Sequence, residues 1–272
     1  MPPSPAALAF TRLVDLVAAL RAPDGCPWDR EQTVDSLKAY VIEETYELVE
    51  AIDRGDHGAM LEELGDFVFE AVFVAQLEAE AGHFTIADAL TSVADKLVRR
   101  HPHVFARGDG EPPLTSGSQV KGLWEKIKAQ EGAARGAEPR TLLSGIPSAL
   151  PSLLRAYQIA GRAASVGFDW ARSVDVIDKI EEETRELREV VEAPALSPER
   201  AEEEMGDLLF AIANLSRKLG IEPETALRKA NEKFTKRFTA MEAAIAAEGR
   251  TTKGLTLDEL ETRWQQVKRT TG

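Results

Sequence analysis

The sequence predicts an all-α fold built as two tandem, homologous domains, and three observations predict it. Long segments are rich in Ala, Leu, Glu, Lys and Arg, which are strong helix formers, and no convincing run of alternating β-branched residues is present. Apolar residues recur at helical spacing, as Ile42, Tyr46, Val49 and Ile52 in one segment and Ile177, Ile180, Thr184, Leu187 and Val191 in another, with carboxylates on a neighbouring face. Most of the chain also occurs twice. Gly25-Cys26-Pro27-Trp28-Asp29-Arg30 matches Gly167-Phe168-Asp169-Trp170-Ala171-Arg172, and Glu43-Glu44-Thr45-Tyr46-Glu47 matches Glu182-Glu183-Thr184-Arg185-Glu186. Glu63-Leu64-Gly65-Asp66 matches Glu204-Met205-Gly206-Asp207, and Trp124-Glu125-Lys126-Ile127-Lys128 matches Trp264-Gln265-Gln266-Val267-Lys268. The offset stays between 137 and 142 residues, far longer than a solenoid repeat, so a domain duplication is the simplest reading.

The elements follow in order. In the first half an acid-bearing helix runs through Ile42 to Ile52, a turn is marked by Gly55 and Gly58, and a second acid-bearing helix carries Glu63 and Asp66 into the apolar run Phe67 to Leu77. A further helix runs from Ala89 to Arg100, and His101-Pro102-His103 reads as the loop that ends it rather than as a pair of transition-metal ligands. Gly108 to Gly117 and Gly132 to Pro139 are loop-like, and the second is the expected interdomain linker. The domains are therefore expected at 1–136 and 137–272. In the second half Pro194 with Ser197-Pro198 marks the turn between the two acid helices, and Ala226 to Arg237 repeats the helix that follows. Each acid pair is expected to form an antiparallel hairpin.

Composition restricts the function classes. A chain of 272 residues can build two ordinary cores. The single cysteine, Cys26, rules out an intramolecular disulfide, and Met1-Pro2-Pro3-Ser4-Pro5 lacks the basic and apolar regions of a signal peptide. The longest apolar run is broken by Glu70 and Gln76 and is too short to cross a bilayer, so a cytoplasmic protein without membrane attachment is expected. A net charge of −13 opposes binding to nucleic acid, because phosphates are repelled rather than neutralised. Only four histidines are present, His57, His83, His101 and His103, and all lie in the first half, which argues against the His-Asp class of helical phosphohydrolases.

The repeated acids carry the chemistry. Residues three and four apart share a helix face, so each block projects carboxylates from one side of a rod, and the hairpin turn returns the second block alongside the first. Such crowding repels itself unless a hard cation sits between the oxygens, and Mg²⁺ with a few carboxylates, waters and substrate phosphates is the usual occupant. One Glu-Glu-x-x-Glu by itself is more often a solvated stripe than a ligand set. The second block shifts that balance, since Asp66 and Asp207 lead into strongly apolar stretches where an unpaired acid is costly. Gly65 and Gly206 stand beside these aspartates at positions where glycine costs about 1 kcal/mol against alanine, which close helix approach or ligand access would explain.

With these strings in place the chain resembles the MazG family of nucleoside triphosphate pyrophosphohydrolases over nearly its whole length. The resemblance rests on Glu-Glu-x-x-Glu followed by Glu-x-x-Asp, present twice, and on the strings Gly-Cys-Pro-Trp-Asp, Arg-Arg-His-Pro-His-Val-Phe, Val-Gly-Phe-Asp-Trp and Lys-Ala-Asn-Glu-Lys-Phe. It implies the all-α NTP pyrophosphatase fold, with helix bundles completed by dimerisation. It also implies a Mg²⁺-dependent homodimer that binds ATP and other NTPs and dNTPs and releases the monophosphate and pyrophosphate. Pyrophosphate release means water attacking the α-phosphorus, so the site must activate water and neutralise the leaving phosphates. The resemblance carries the metal-ligand role onto Glu183, Glu186, Glu204 and Asp207. Glu182, or another of these carboxylates, would orient or deprotonate the water. Lys179, Lys233 and Arg237 would contact phosphate, and Trp264 and Lys268 would provide a stacking surface and a further phosphate contact. From spacing alone, Lys233 and Arg237 are equally an ordinary charged face, and Trp264 is better explained as a core or interface anchor.

The first half keeps the whole set: Glu44, Glu47, Glu63 and Asp66 as metal ligands, and Lys96, Arg100, Trp124 and Lys128 as substrate contacts. Nothing in the sequence disables it, but the family association makes the second half the expected main site. Two alternatives stay open. One is a house-cleaning enzyme with narrow dNTP preference, and the other is a non-catalytic helical module that uses its apolar faces to bind partners.

Overall fold

The computed structural model describes residues 3–106, 114–117, 119–120, 122–124, 127, 131 and 141–270. Every regular element among them is helical, and none is a strand. The chain divides into two compact units, Met1–Gly136 and Ala137–Gly272. The expected linker from Gly132 to Pro139, most of the break from Gly108 to Gly117, and Lys128 lie outside the described residues.

In the first unit each helix starts where a side chain can satisfy its free amides. Helix α1 (Pro5–Arg21) is capped by Ser4, whose hydroxyl accepts from the Ala7 amide at 3.2 Å. A short α2 (Pro27–Glu31) follows. Helix α3 (Val34–Arg54) begins with a reciprocal Thr33–Ser36 capping box and ends on Gly55, whose φ of 65° is the left-handed conformation that glycine adopts without strain. Asp56 then caps α4 (His57–Glu80). Gly58, expected in the turn, instead lies in the first turn of α4 and donates its amide to Asp56 Oδ1 at 3.0 Å. The turn is shorter than expected because Asp56 supplies the cap by itself. Helix α5 (Ile86–Arg100) opens on a Thr85–Asp88 box, and α6 (Pro102–Phe105) turns the expected His-Pro-His loop into a single helical turn.

Helix α4 is the spine of this unit, packed against α3, α1 and α5. Its second half buries Val72, Phe73 and Leu77 against Val17 and Leu37, with Tyr40 and Phe69 at the edge. Arg21 closes this core by three contacts: an ion pair to Glu80 (2.7 Å), a hydrogen bond to the Asp29 carbonyl (2.5 Å), and a guanidinium 5.7 Å from the Phe73 ring centre. Trp28 meets Tyr40 edge-on at 5.9 Å. The Gly-Cys-Pro-Trp-Asp string is therefore a clip that fixes the start of α3.

The second unit contains α7 (Ser152–Ser165), α8 (Ser173–Glu192), α9 (Pro198–Lys218), α10 (Pro223–Ala247), a 3₁₀ turn (Thr252–Gly254) and α11 (Leu257–Thr270). Ser197 caps α9 and Glu222 caps α10. Helix α9 packs on α8 and α7, while α10 packs on α7 and α11. The Gly-Phe-Asp-Trp string is also a clip: Asp169 pairs with Arg217 (2.6 Å) and Lys218 (3.1 Å), and Arg217 donates to the buried Asn214 side chain at 2.9 Å. Met241, Ile245 and Val267 form a separate cluster between α10 and α11.

The apolar stripes lie elsewhere than the periodicity suggests. Ile42, Tyr46 and Ile52 on α3 are exposed, as are Ile177 and Val191 on α8, because α3 buries Leu37 and Ala51, and α8 buries Val176 and Val190, against their neighbours. The second acid helices are likewise less enclosed than expected, since Leu61 and Leu64 on α4 and Met205, Leu209, Phe210 and Ile212 on α9 face outward. Burial on α4 is confined to its second half.

Candidate metal centres

The tight helical hairpins bring the acids together. On α8, Glu183 and Glu186 stand one turn apart, and Glu204 reaches them from α9. One carboxylate oxygen from each of the three falls within 4.8 Å of the others. Glu183 is 4 % exposed; its Oε1 accepts from Lys179 Nζ at 2.7 Å, while its Oε2 is buried without a hydrogen-bond partner among the described residues. Burial pushes the Glu204 carboxyl up, and Glu186 and Glu183 push it further, against the opposing pull of Arg200 at 3.8 Å. Hydrogen bonds from the Lys179 ammonium to Glu183 and Glu182 raise the pKa of that lysine above its usual range.

The first unit repeats the arrangement with Glu44, Glu47 and Glu63, again with oxygens within 4.8 Å of one another. Burial raises the Glu44 carboxyl, followed by the charges of Asp66, Glu47 and Glu63; Glu63 is raised by burial and then by Glu47. Among the described residues no cation pairs with any of these acids.

The other expected site residues are placed as follows. Asp66 and Asp207 are exposed on the face of Glu63 and Glu204, three residues on, and neither joins the converging trio, although Asp66 acts on Glu44 and Glu63. Glu182 is half-buried and held by Lys179 at 3.0 Å. Lys233 and Lys268 are exposed and form no ion pair among the described residues, and Arg237 is half-buried on α10. Trp264 packs in the α10–α11 core, 5.1 Å from the Phe234 ring. In the first unit Lys96 is half-buried. Arg100 shares Glu131 with Arg99 (2.7 and 2.6 Å), and the two guanidiniums hold that carboxyl down at about 2. Trp124 meets His101 edge-on at 5.0 Å, and its indole nitrogen is buried without a hydrogen-bond partner among the described residues. A Cβ at Gly65 or Gly206 would meet nothing within 4 Å, so close packing among the described helices is not what these glycines serve. A shallow depression lined by Glu181, Thr184, Arg185 and Arg188 lies on the side of α8 away from Glu183 and Glu186 and belongs to neither acid cluster.

Glu70 is the residue whose role the repeat pattern misses. It lies one turn beyond Asp66 on α4, is 6 % exposed, and is pushed up to about 7 by burial and then by Glu44 and Asp66. The available signal was an acid interrupting the apolar run from Phe67 to Leu77.

A hard divalent cation fits both clusters. The donors are all carboxylate oxygens, they converge from two helices, and the buried Glu183 Oε2 supplies a lone pair that no group among the described residues uses. The family described as "MazG nucleotide pyrophosphohydrolase domain" matches residues 32–105 and 174–240, which hold these two hairpins. The chain belongs to the MazG family. It is 45 % identical over 259 residues to the "Nucleoside triphosphate pyrophosphohydrolase" of Escherichia coli (strain K12), spanning 95 % of this chain and 96 % of that protein. It is 46 % identical over 263 residues to the "Nucleoside triphosphate pyrophosphohydrolase/pyrophosphatase MazG" of Thermotoga maritima, spanning 97 % of each. A crystal structure of a MazG-related protein from Thermotoga maritima is 25 % identical, with a TM-score of 0.38, and covers 44 % of this chain and 98 % of its own. Membership of the MazG family agrees with the duplicated motif, whose two copies coincide with the two matched segments.

Proposed function

We propose that this chain is a Mg²⁺-dependent nucleoside triphosphate pyrophosphohydrolase. In this reading it converts NTPs and dNTPs to the monophosphate and pyrophosphate, acts in the cytoplasm as a homodimer, and has its main active site in the α8–α9 hairpin. The names of its full-length relatives support the reaction class. The observation that carries the site is the convergence of Glu183, Glu186 and Glu204 around a buried carboxylate oxygen without a donor.

Glu183, Glu186 and Glu204 would hold the ion, with Asp207 completing the set from the same face of α9. Bound Mg²⁺ supplies positive charge to the phosphate oxygens and acidifies a coordinated water. Glu182 is held by Lys179 at 3.0 Å, and it or a neighbouring carboxylate would accept the proton of the attacking water. Lys179 is within reach of the cluster to meet a phosphate oxygen once Glu183 is neutralised. Lys233 and Lys268 are exposed cations with no ion pair among the described residues, available to the leaving phosphates, with Arg237 one turn from Lys233. Trp264 would serve by shaping the α10–α11 surface that carries Lys268. In the first unit Lys96, Arg100 and Trp124 are the corresponding groups, and Lys128 lies outside the described residues.

The test is product analysis with a panel of NTPs and dNTPs in Mg²⁺, resolving mono- from diphosphate, on wild type, Glu186→Ala and Glu47→Ala. Monophosphate plus pyrophosphate from many nucleotides, abolished by Glu186→Ala and largely retained in Glu47→Ala, is the expected result. Diphosphate as product would reject attack at the α-phosphorus. Loss only in Glu47→Ala would move the main site to the first unit.

A further inference from the structure

The two acid hairpins differ at one matching level. The acids on α3 and α8 are offset by 139 residues and those on α4 and α9 by 141, so Tyr40 occupies the place of Lys179, and Glu70 the place of Ala211. Tyr40, Glu44 and Glu47 are spaced four and three apart on α3, and Glu63, Asp66 and Glu70 three and four apart on α4; each set is a single helical stripe. In the second unit this level contributes an ammonium, bonded to Glu183 at 2.7 Å, opposite a buried alanine. In the first unit it contributes a carboxyl and a phenol. Exchanging a lysine and an alanine for a tyrosine and a glutamate leaves the first cluster two formal charges more negative.

Glu70 is not an ordinary surface acid. It is 6 % exposed, its Oε2 is buried with no hydrogen-bond partner among the described residues, and the charges that act on it are those of Glu44 and Asp66. A buried carboxylate among like charges, with an unused lone pair, is unfavourable until a cation meets it. We propose that Glu70 is a fifth carboxylate of the first-unit centre, which binds a divalent cation more tightly than the second-unit centre, where the Lys179 ammonium already neutralises part of the cluster. The proposal rests on the reading that both hairpins hold divalent cations.

The experiment is Mn²⁺ titration of the full-length chain, without nucleotide, counting free Mn²⁺ by its electron paramagnetic resonance signal. The Glu186→Ala/Glu204→Ala background leaves only the first centre, and Glu47→Ala/Glu63→Ala leaves only the second. The first centre is expected to bind Mn²⁺ at least about tenfold more tightly than the second, and Glu70→Gln, added to the first background, to weaken it by about 10–100-fold. Thermal melting in EDTA checks the fold, and Glu70→Gln should melt no lower than its background because it removes a buried like charge. Unchanged Mn²⁺ affinity in a folded Glu70→Gln chain overturns the assignment, as does tighter binding at the second centre, which can be read without any change at Glu70. If neither background binds Mn²⁺, the reading of the hairpins as metal centres fails, and this proposal with it.

Discussion

Lys179 donates to both Glu182 (3.0 Å) and Glu183 (2.7 Å), and Glu183 is nearly sealed from water, so the lysine supports a buried acid besides the phosphate contact proposed for it. Removing it leaves a buried carboxylate without a counter-charge. Lys179→Met should therefore cost about 2–4 kcal/mol of stability in EDTA, since breaking one side of a buried pair is more damaging than the pair is worth. Saturating Mg²⁺ should restore more stability to the variant than to wild type, as read by urea denaturation with and without the ion; equal gains would mean that the cation does not meet Glu183. This pairing was only half legible in the sequence. The i, i+4 spacing of Lys179 and Glu183 announces a helix-face pair, but Glu44 has the same acid neighbours and Tyr40 in place of the lysine. Glu70 was harder still to read, because an acid inside an apolar run becomes meaningful only when burial and an unpartnered oxygen are seen.

Among the elements, helical content was plain from composition and periodicity, while the helix starts are set by Thr33, Asp56, Thr85 and Ser197, each of which sits where a free amide needs an acceptor. The face each helix buries was less plain, because apolar periodicity does not say whether the covering surface comes from the same chain. Gly206 is a case in point. It lies within α9 where a Cβ would meet nothing, so Gly206→Ala should raise stability by about 0.5–1 kcal/mol through helix propensity and reduced unfolded-state freedom. The same change should lower turnover, because Gly206 directly precedes Asp207 and a Cβ narrows the space open to a ligand there. Higher stability with full activity would show that the space is not used by the site. At the start of α11 the Thr256 backbone amide (2.9 Å) and then Arg250 (2.8 Å) hold Glu259 down at about 2, against an ordinary 4.5. A depressed carboxyl contributes stability above its unfolded value and loses it as pH falls through its folded one. Glu259→Gln should accordingly be less stable than wild type at neutral pH, with the gap closing as pH drops from 4.5 toward about 2. A gap independent of pH in that window would assign the effect to packing instead.

For the whole molecule, the duplication preserves the acids and changes the surface around them. With the 139-residue offset, Ile42, Tyr46, Val49 and Ile52 on α3 correspond to Glu181, Arg185, Arg188 and Val191 on α8. The first-unit stripe is thus apolar and outward-facing, with Ile42 57 %, Tyr46 45 % and Ile52 56 % exposed, whereas three of the four matching positions in the second unit are charged. Leu61, 78 % exposed, and Leu64 add exposed apolar side chains on α4, and exposed apolar surface of this kind marks an association face. The proposed homodimer should therefore include the first-unit hairpin in its contact. Full burial of each such side chain contributes about 1.5–3 kcal/mol, and in a two-fold dimer each substitution counts once per subunit. Ile42→Glu loses that contribution and adds a charge to be desolvated, so the dimer dissociation constant should rise by about 100-fold or more, while Glu181→Ala at the matching second-unit position should leave it within about threefold. Sedimentation velocity over a concentration series reads both values. A wild-type chain that stays monomeric at micromolar concentration, or an Ile42→Glu chain that stays as dimeric as wild type, would remove the first-unit hairpin from the subunit contact and leave its exposed stripe to another partner.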